Sequence, residues 1–306
     1  MPSLQQLRYL VAVTETRHFR RAAEACHVSQ PTLSAQLKEL ETRLGAVLVE
    51  RNRSRVVITP LGESVAAHAR RALREVDEIR TLAALHHGTL RSTIKVGVVQ
   101  SLGSYLFPLI VPELHESHPS LKLYVREGLA DHLLQGLSSG ALDLLLFPMP
   151  VRGAEFDSLS LFREPLLVAM PADHPLAAVD AIVPEMLRGE TILALEPGHR
   201  LYEQVRRICD QCGAHLSHDF EGTSLDTLRQ MVAMGMGLSL LPALYVKSEV
   251  AHQDIVLARP FRNAPPSRTI GMAWRRSTAR EAEFQELATA ISAILRRRAP
   301  EVFVFS

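Results

Sequence analysis

The sequence predicts an N-terminal winged helix-turn-helix, all-α with a β wing, followed by a long linker helix and a two-lobed α/β body. Three observations carry this prediction. Between His18 and Leu44, two apolar-periodic segments flank a short turn at Cys26-His27-Val28. From Pro60 to about His87, an apolar stripe runs too far for a local core. From Ser92 onward the period changes, and strand-like runs alternate with helix-like ones. A length of 306 residues suits two or three domains. The expected boundaries are 1–58, 59–88 and 89–306, with lobe I at about 92–162 and 268–306 and lobe II at about 163–267.

Leu4, Leu7, Leu10 and Val11, with Val13 close by, predict a first helix beneath the helix-turn-helix, with Ser3 as its N-cap. The next helix offers Phe19, Ala22, Ala23 and Ala25 to a core, and its alanines allow close helix approach. Ser29 or Gln30 stands where an N-cap is expected, and Pro31 suits a first turn. Leu33, Leu37, Leu40 and Leu44 repeat at three- and four-residue spacing and predict one buried stripe. The other face carries Gln30, Thr32, Ser34, Gln36 and Lys38, hydrogen-bonding side chains with almost no negative charge. One packed face and one free face are what entry into a major groove requires. Gln30, Pro31, Thr32, Ser34 and Lys38 are therefore the DNA-facing candidates, although a helical hairpin in an ordinary core has the same spacing.

Val47-Leu48-Val49 and Val56-Val57-Ile58 flank a polar turn and predict a hairpin, or wing. Arg51, Arg53 and Arg55 on it suit a phosphate backbone or a minor groove, or a solvated loop. Through Ile58 there are nine basic and five acidic residues, a local charge of +4 in a chain of formal net charge +1. Attraction to phosphate is thus confined to one end. Thr59 can cap the long helix and Pro60 fits its first turn. Its stripe of Val65, Ala69, Ala72, Leu73, Val76, Ile79, Leu82 and Ala83 suits pairing with a second copy, and Gly88 with Thr89 marks a hinge.

In the body, strands are expected at Thr93–Val99, Leu121–Val125, Leu142–Phe147, Ile192–Leu195, Leu238–Leu241 and Arg268–Trp274. Helices are expected after the turn Gln100-Ser101-Leu102-Gly103, at Asp131–Gly140, Arg200–Cys212, Ser224–Met234 and Ala282–Arg298. A second unit begins near Leu159 to Met170. Alternation of this kind predicts a parallel sheet covered on both sides, in two lobes with a cleft between them.

The segment FRRAAEACHVSQPTLSAQLKELETRLGAVLVERNRSRVVITPLGE resembles the DNA-binding segment of LysR-type transcriptional regulators. Ala22-Ala23, Val28-Ser29-Gln30-Pro31, Ser34, Leu40-Glu41, Leu44-Gly45, Glu50-Arg51 and Thr59-Pro60-Leu61-Gly62 follow that family's pattern in order and spacing. The resemblance implies a linker helix that pairs two subunits and an effector domain akin to periplasmic binding proteins. It also implies assembly as homodimers and homotetramers on an inverted-repeat promoter site in double-stranded DNA, with RNA polymerase as a further partner.

In the second lobe, ILALEPGHRLYEQVRRICDQCG followed by FEGTSLDTLRQMVAMGMGLSLLPALYV is similar to the OxyR branch of the family, the peroxide sensors. Those proteins carry a reactive cysteine straight after Gly-His and a second cysteine nine residues on. Here the first position is Arg200 and the second is Cys209. Without a thiolate at the first position, the branch's peroxide chemistry cannot run in that form. Ser101, His199, Thr223 and Ser224 match pocket-lining positions of the peroxide sensors.

Strand ends and helix starts also point to the cleft without any resemblance, because helix N-termini attract negative charge. Ser101 with Gly103, His199 with Arg200, and Thr223 with Ser224 stand at such places, and Ser101 and Ser224 are expected to cap their helices. A guanidinium at residue 200 favours a carboxylate or a phosphate, or else forms a surface ion pair. The expected effector is therefore a small, anionic molecule. The alternatives are an oxidant sensor using Cys209 and Cys212, or a metal-responsive regulator using Cys209, Cys212, His215 and His218. Two buried core cysteines would explain the same C-x-x-C, and Cys26 is expected to pack in the turn.

No signal-peptide pattern and no run of eighteen apolar residues is found, so the chain is expected in the cytoplasm and away from membranes. Three cysteines make no disulfide framework. No nucleophile–base–orienter set and no glycine-rich phosphate loop is visible, which argues against an enzyme and against a bound cofactor.

Overall fold

The computed structural model describes residues 1–52, 55–85, 90, 92–251 and 255–305. It divides into two compact units, Met1–His86 and His87–Ser306.

Side-chain caps set where the helices of the first unit begin. Ser3 and Gln6 form a reciprocal capping box that opens α1 (Leu4–Thr16). His18 caps α2 (Phe19–Ala25) by accepting the Arg21 N–H. Ser29 accepts the Thr32 N–H at 3.3 Å and opens α3 (Gln30–Leu44). Gly45 ends that helix at φ +66°, a left-handed conformation suited to glycine. The hairpin pairs β1 (Val49–Asn52) with β2 (Arg55–Ile58), Val49 lying opposite Ile58. Thr59 then caps α4 (Pro60–Leu85) through the Gly62 N–H at 2.9 Å.

Leu33, Leu37 and Leu40 of α3 are fully buried against Leu10 and Val13 of α1 and Ala22 and Ala23 of α2. The expected apolar faces need three corrections. Ala25 and Leu44 close their helices and are exposed. In α1 the buried stripe is Gln6, Tyr9, Leu10, Val13 and Thr14, while Leu4 is exposed and Leu7 and Val11 are half-buried. Hydrogen bonds satisfy the polar groups on this face: Gln6 donates to Gln36 at 3.3 Å, and the Thr14 hydroxyl donates to the Leu10 carbonyl at 2.8 Å. Glu41 fastens α3 to the hairpin, one carboxylate oxygen accepting the N–H groups of Leu48 and Val49 at 2.8 and 3.0 Å.

Along α4, Ala66 and Ala69 are buried, Ala72, Leu73 and Val76 are half-buried, and Ile79 is exposed. The side chains of Leu82 and Ala83, and Gly88 and Thr89 entirely, lie outside the described residues.

The second unit opens with β3 (Thr93–Val99), α5 (Gly103–Ser117), β4 (Lys122–Gly128), α6 (Ala130–Ser139) and β5 (Leu144–Pro148). Then come β6 (Phe156–Pro171), β7 (Thr191–Leu195), α7 (Arg200–Cys212), β8 (His215–Gly222), α8 (Leu225–Ala233) and β9 (Leu238–Pro242). α9 (Ala243–Tyr245) runs into a π turn at Val246–Val250, followed by β10 (Val256–Arg259), β11 (Ser267–Arg275), α10 (Glu281–Arg298) and β12 (Phe303–Val304). The strand order is β4-β3-β5-β11-β6-β9-β7-β8.

β3 pairs in parallel with β4 and β5, and β7 pairs in parallel with β8 and β9. β11 and β6, however, are antiparallel to their neighbours. The sheets are therefore mixed, which corrects the all-parallel expectation. β6 belongs to both lobes: Phe156 to Pro165 pair with β11, and Leu166 to Ala169 pair with β9. Each lobe has its own core, around Phe147, Phe162 and Phe284 in lobe I and around Ile192, Leu193 and Leu241 in lobe II. The last residues fold back as β12 on Arg163 and Phe162 of β6, and Lys247 of lobe II donates to Glu301 at 2.9 Å. No described helix is long and apolar enough to cross a membrane.

Candidate functional site

The free face of α3 is the first candidate surface. Gln30, Pro31, Thr32 and Lys38 are exposed, and Ser34 is half-buried. The Thr32 hydroxyl lies 2.8 Å from that of Ser29, inside the cap. Lys38 has no carboxylate partner among the described residues. Of the wing arginines, Arg53 and the side chains of Arg51 and Arg55 lie outside the described residues.

The second candidate is the cleft edge of the body. Ser101 is buried but does not cap: the N-cap of α5 is Leu102, with no side-chain bond. Ser101 instead accepts an N–H from Arg268, Nη1 to Oγ at 2.7 Å, while Nη2 of Arg268 reaches the Ser101 carbonyl at 2.8 Å. Nε of Arg268 binds Glu164 at 2.8 Å, and the other oxygen of Glu164 accepts the Leu244 N–H at 2.9 Å. Glu164 is wholly buried, so this pair ties β6 and β11 to the start of α5. Gly103 begins α5 against Glu127, and a Cβ there would strike that carboxylate.

Across the cleft, Ser224 caps α8 as expected, accepting the Thr227 N–H at 3.2 Å, and Thr223 is exposed. His199 is the N-cap residue of α7 without a capping side-chain bond. Its ring is buried, its Nε2 has no hydrogen-bond partner, and Glu196 stands 3.8 Å away. Burial holds this imidazole below its ordinary pKa, opposed by the Glu196 charge. Arg200 is exposed at the first position of α7, and its guanidinium lies over the Phe147 ring of lobe I, 5.6 Å from the centroid. Tyr105 of α5 and Tyr245 form an edge-to-face pair, and both hydroxyls donate to Asp226.

The cysteine and histidine candidates do not converge. Cys209 and Cys212 sit in the core of lobe II, while His215 and His218 are exposed on β8. Among the described residues, no three His, Cys, Asp or Glu side chains are placed to hold a metal ion. Burial pushes the Cys209 thiol up to about 11 and raises that of Cys212, so neither is a thiolate near neutral pH. Cys26 is half-buried against the helix-turn-helix core, as expected. Sequence reasoning missed Glu164 as the partner of Arg268, and Phe147 as that of Arg200. No local pattern links them, since Glu164 and Arg268 lie 104 positions apart.

The family model described as "Bacterial regulatory helix-turn-helix protein, lysR family" matches residues 4–63, and "LysR substrate binding domain" matches residues 87–296. The chain belongs to the LysR family. It is similar to the DNA-binding transcriptional dual regulator OxyR of Escherichia coli strain K12, 40% identical over 291 residues and 95% of each chain. The hydrogen peroxide-inducible genes activator of Haemophilus influenzae is 34% identical over 95% of this chain and 96% of its own. A full-length OxyR variant from Pseudomonas aeruginosa has a similar structure, with TM-score 0.79 and 38% identity, over 98% of both chains. A peroxide-bound OxyR variant from Corynebacterium glutamicum matches with TM-score 0.68 and 28% identity, over 97% of this chain and 94% of that one. These likenesses place it in the OxyR branch of the LysR family. A LysR protein of this kind is a DNA-binding transcriptional regulator and not an enzyme.

Proposed function

We propose that this LysR-family regulator is controlled by a small anionic effector bound between its lobes, not by thiol oxidation. The observation that carries this is Arg200. Its guanidinium makes no hydrogen bond or ion pair with a described residue, and its ring contact leaves the charge unneutralised. Exposed arginines usually find a carboxylate or solvent, but this one stands at a helix N-terminus beside a buried imidazole whose Nε2 makes no hydrogen bond. Ser101, Gly103, His199, Thr223 and Ser224 complete the effector set.

On the DNA side, Gln30, Thr32 and Ser34 read base edges and Lys38 and the wing arginines hold phosphates of an inverted-repeat site. Two copies pair along the half-exposed stripe of α4 and assemble further into tetramers, and the effector resets their arrangement for RNA polymerase.

Relatives named as hydrogen peroxide-inducible activators favour a second function, oxidant sensing through Cys209 and Cys212. One experiment separates the two. Affinity for the protein's own upstream DNA is measured with reduced thiols, after peroxide, and with pooled anionic metabolites. A metabolite response that Arg200→Ala abolishes, with peroxide silent, supports the anion. A peroxide response reversed by reductant, and lost in Cys209→Ser, overturns it.

A further inference from the structure

We propose that Phe147 is a positioning residue that makes the cleft select a singly charged carboxylate; the inference rests on the effector function above. Phe147 is fully buried at the end of β5, and its ring face carries the Arg200 guanidinium. The ring offers the guanidinium no acceptor oxygen, so its N–H groups remain for the two oxygens of a carboxylate. The ring thereby pre-orders a flexible side chain that the ligand would otherwise have to immobilise.

Ser101 holds a second donor near the carboxyl end of the neighbouring strand. Val98 pairs with Leu146 in the parallel ladder of β3 and β5, so Ser101 and Phe147 emerge at one sheet edge. Arg268 can only donate, so the Ser101 oxygen is the acceptor in their bond and the Ser101 proton is left for another acceptor. The buried Nε2 of His199, next to Arg200, makes no hydrogen bond, and its nearest carboxylate is Glu196 at 3.8 Å.

Charge fixes the ligand class. Glu164 neutralises Arg268. Glu196 stands beside His199, Glu127 beside Gly103 and Ser104, and Asp226 beside Tyr105. Arg229, which acts on Tyr245 alongside Asp226, offsets that last carboxylate, so a divalent tetrahedral anion would bring two negative charges to the single exposed guanidinium of Arg200, four residues after Glu196. A monocarboxylate matches that cation and avoids the added repulsion.

The test is titration calorimetry on the full chain with acetate, benzoate, inorganic phosphate and sulfate, for wild type, Phe147→Leu, Phe147→Tyr and Arg200→Ala. The expected result is that a monocarboxylate binds more tightly than phosphate or sulfate, and that Phe147→Leu weakens it by about three- to tenfold. Phe147→Tyr, which keeps the ring, restores it. The Arg200 Nε–H resonance, shifted by the ring in wild type, moves in Phe147→Leu and not in Phe147→Tyr. If Phe147→Leu does not fold, Phe147→Met supplies ring-free volume in its place. Wild-type affinity in the ring-free variant, or a preference for phosphate, overturns the role of Phe147 while a loss in Arg200→Ala still upholds the effector function. Unchanged binding in Arg200→Ala, or no binding of any probe to wild type, overturns both.

Discussion

The buried ion pair at Arg268 and the helix start at Arg200 put the same side chain to opposite uses. Arg268 is buried, bonded to Glu164 through Nε and to Ser101 through both terminal nitrogens. Arg200 is exposed and, among the described residues, meets a ring face without a hydrogen bond or ion pair. A charge matched inside the protein holds backbone elements together, because removing either partner strands the other away from water. A charge left unmatched adds little to the fold and stays available to a ligand. The contrast sets an arginine that ties elements of the fold beside the one proposed above to bind the effector.

The largest effect should come from breaking the matched side. Arg268→Ala is expected to cost about 3–5 kcal/mol in urea unfolding, because Glu164 stays buried without its cation. An Arg268→Met and Glu164→Leu double variant should recover most of that loss; if it does not, the pair does more than neutralise itself. Next, Ser101→Ala removes the acceptor of one Arg268 donor and should cost about 1–3 kcal/mol in the same assay.

On the unmatched side, burial depresses the pKa of His199. The unfolded chain then takes up a proton more readily, so the stability held by neutral His199 is present above pH about 6.5 and declines as pH falls through that value. His199→Asn should remove that part of the pH slope, seen as thermal midpoints that converge with wild type at high pH and separate at low pH. The smallest effect on stability belongs to Arg200→Ala, expected within about 0.5 kcal/mol of wild type. A loss of several kcal/mol there would mean that the Arg200–Phe147 contact holds the lobes, and the contrast would fail.

The sequence showed the helix-turn-helix because its signals are local: leucines three and four apart, hydroxyl caps and Gly45 at the helix end. It misplaced the stripe of α1 because Gln6 and Thr14 are buried through hydrogen bonds that hydropathy does not register. β8 escaped notice because His215, Ser217, His218 and Asp219 look like a loop, and only pairing with β7 makes them a strand. At the cleft, Arg200 was legible by its place after Gly198-His199. The role of Ser101 was not, since a serine before a helix looks like a cap whether or not it bonds to one. What set it apart was an arginine contributed by a strand at the far end of the chain.

β6 also limits how the lobes can move. Sixteen residues of extended backbone span about 50 Å and lie in both sheets, bonded to β11 and β12 in one lobe and to β9 and β10 in the other. Its pairing with β11 shifts register once, at Leu161, and is otherwise continuous. A turn of one lobe against the other would twist this strand and strain the ladders on its edges. Any force that turned the lobes would have to work against hydrogen bonds on both edges of one strand.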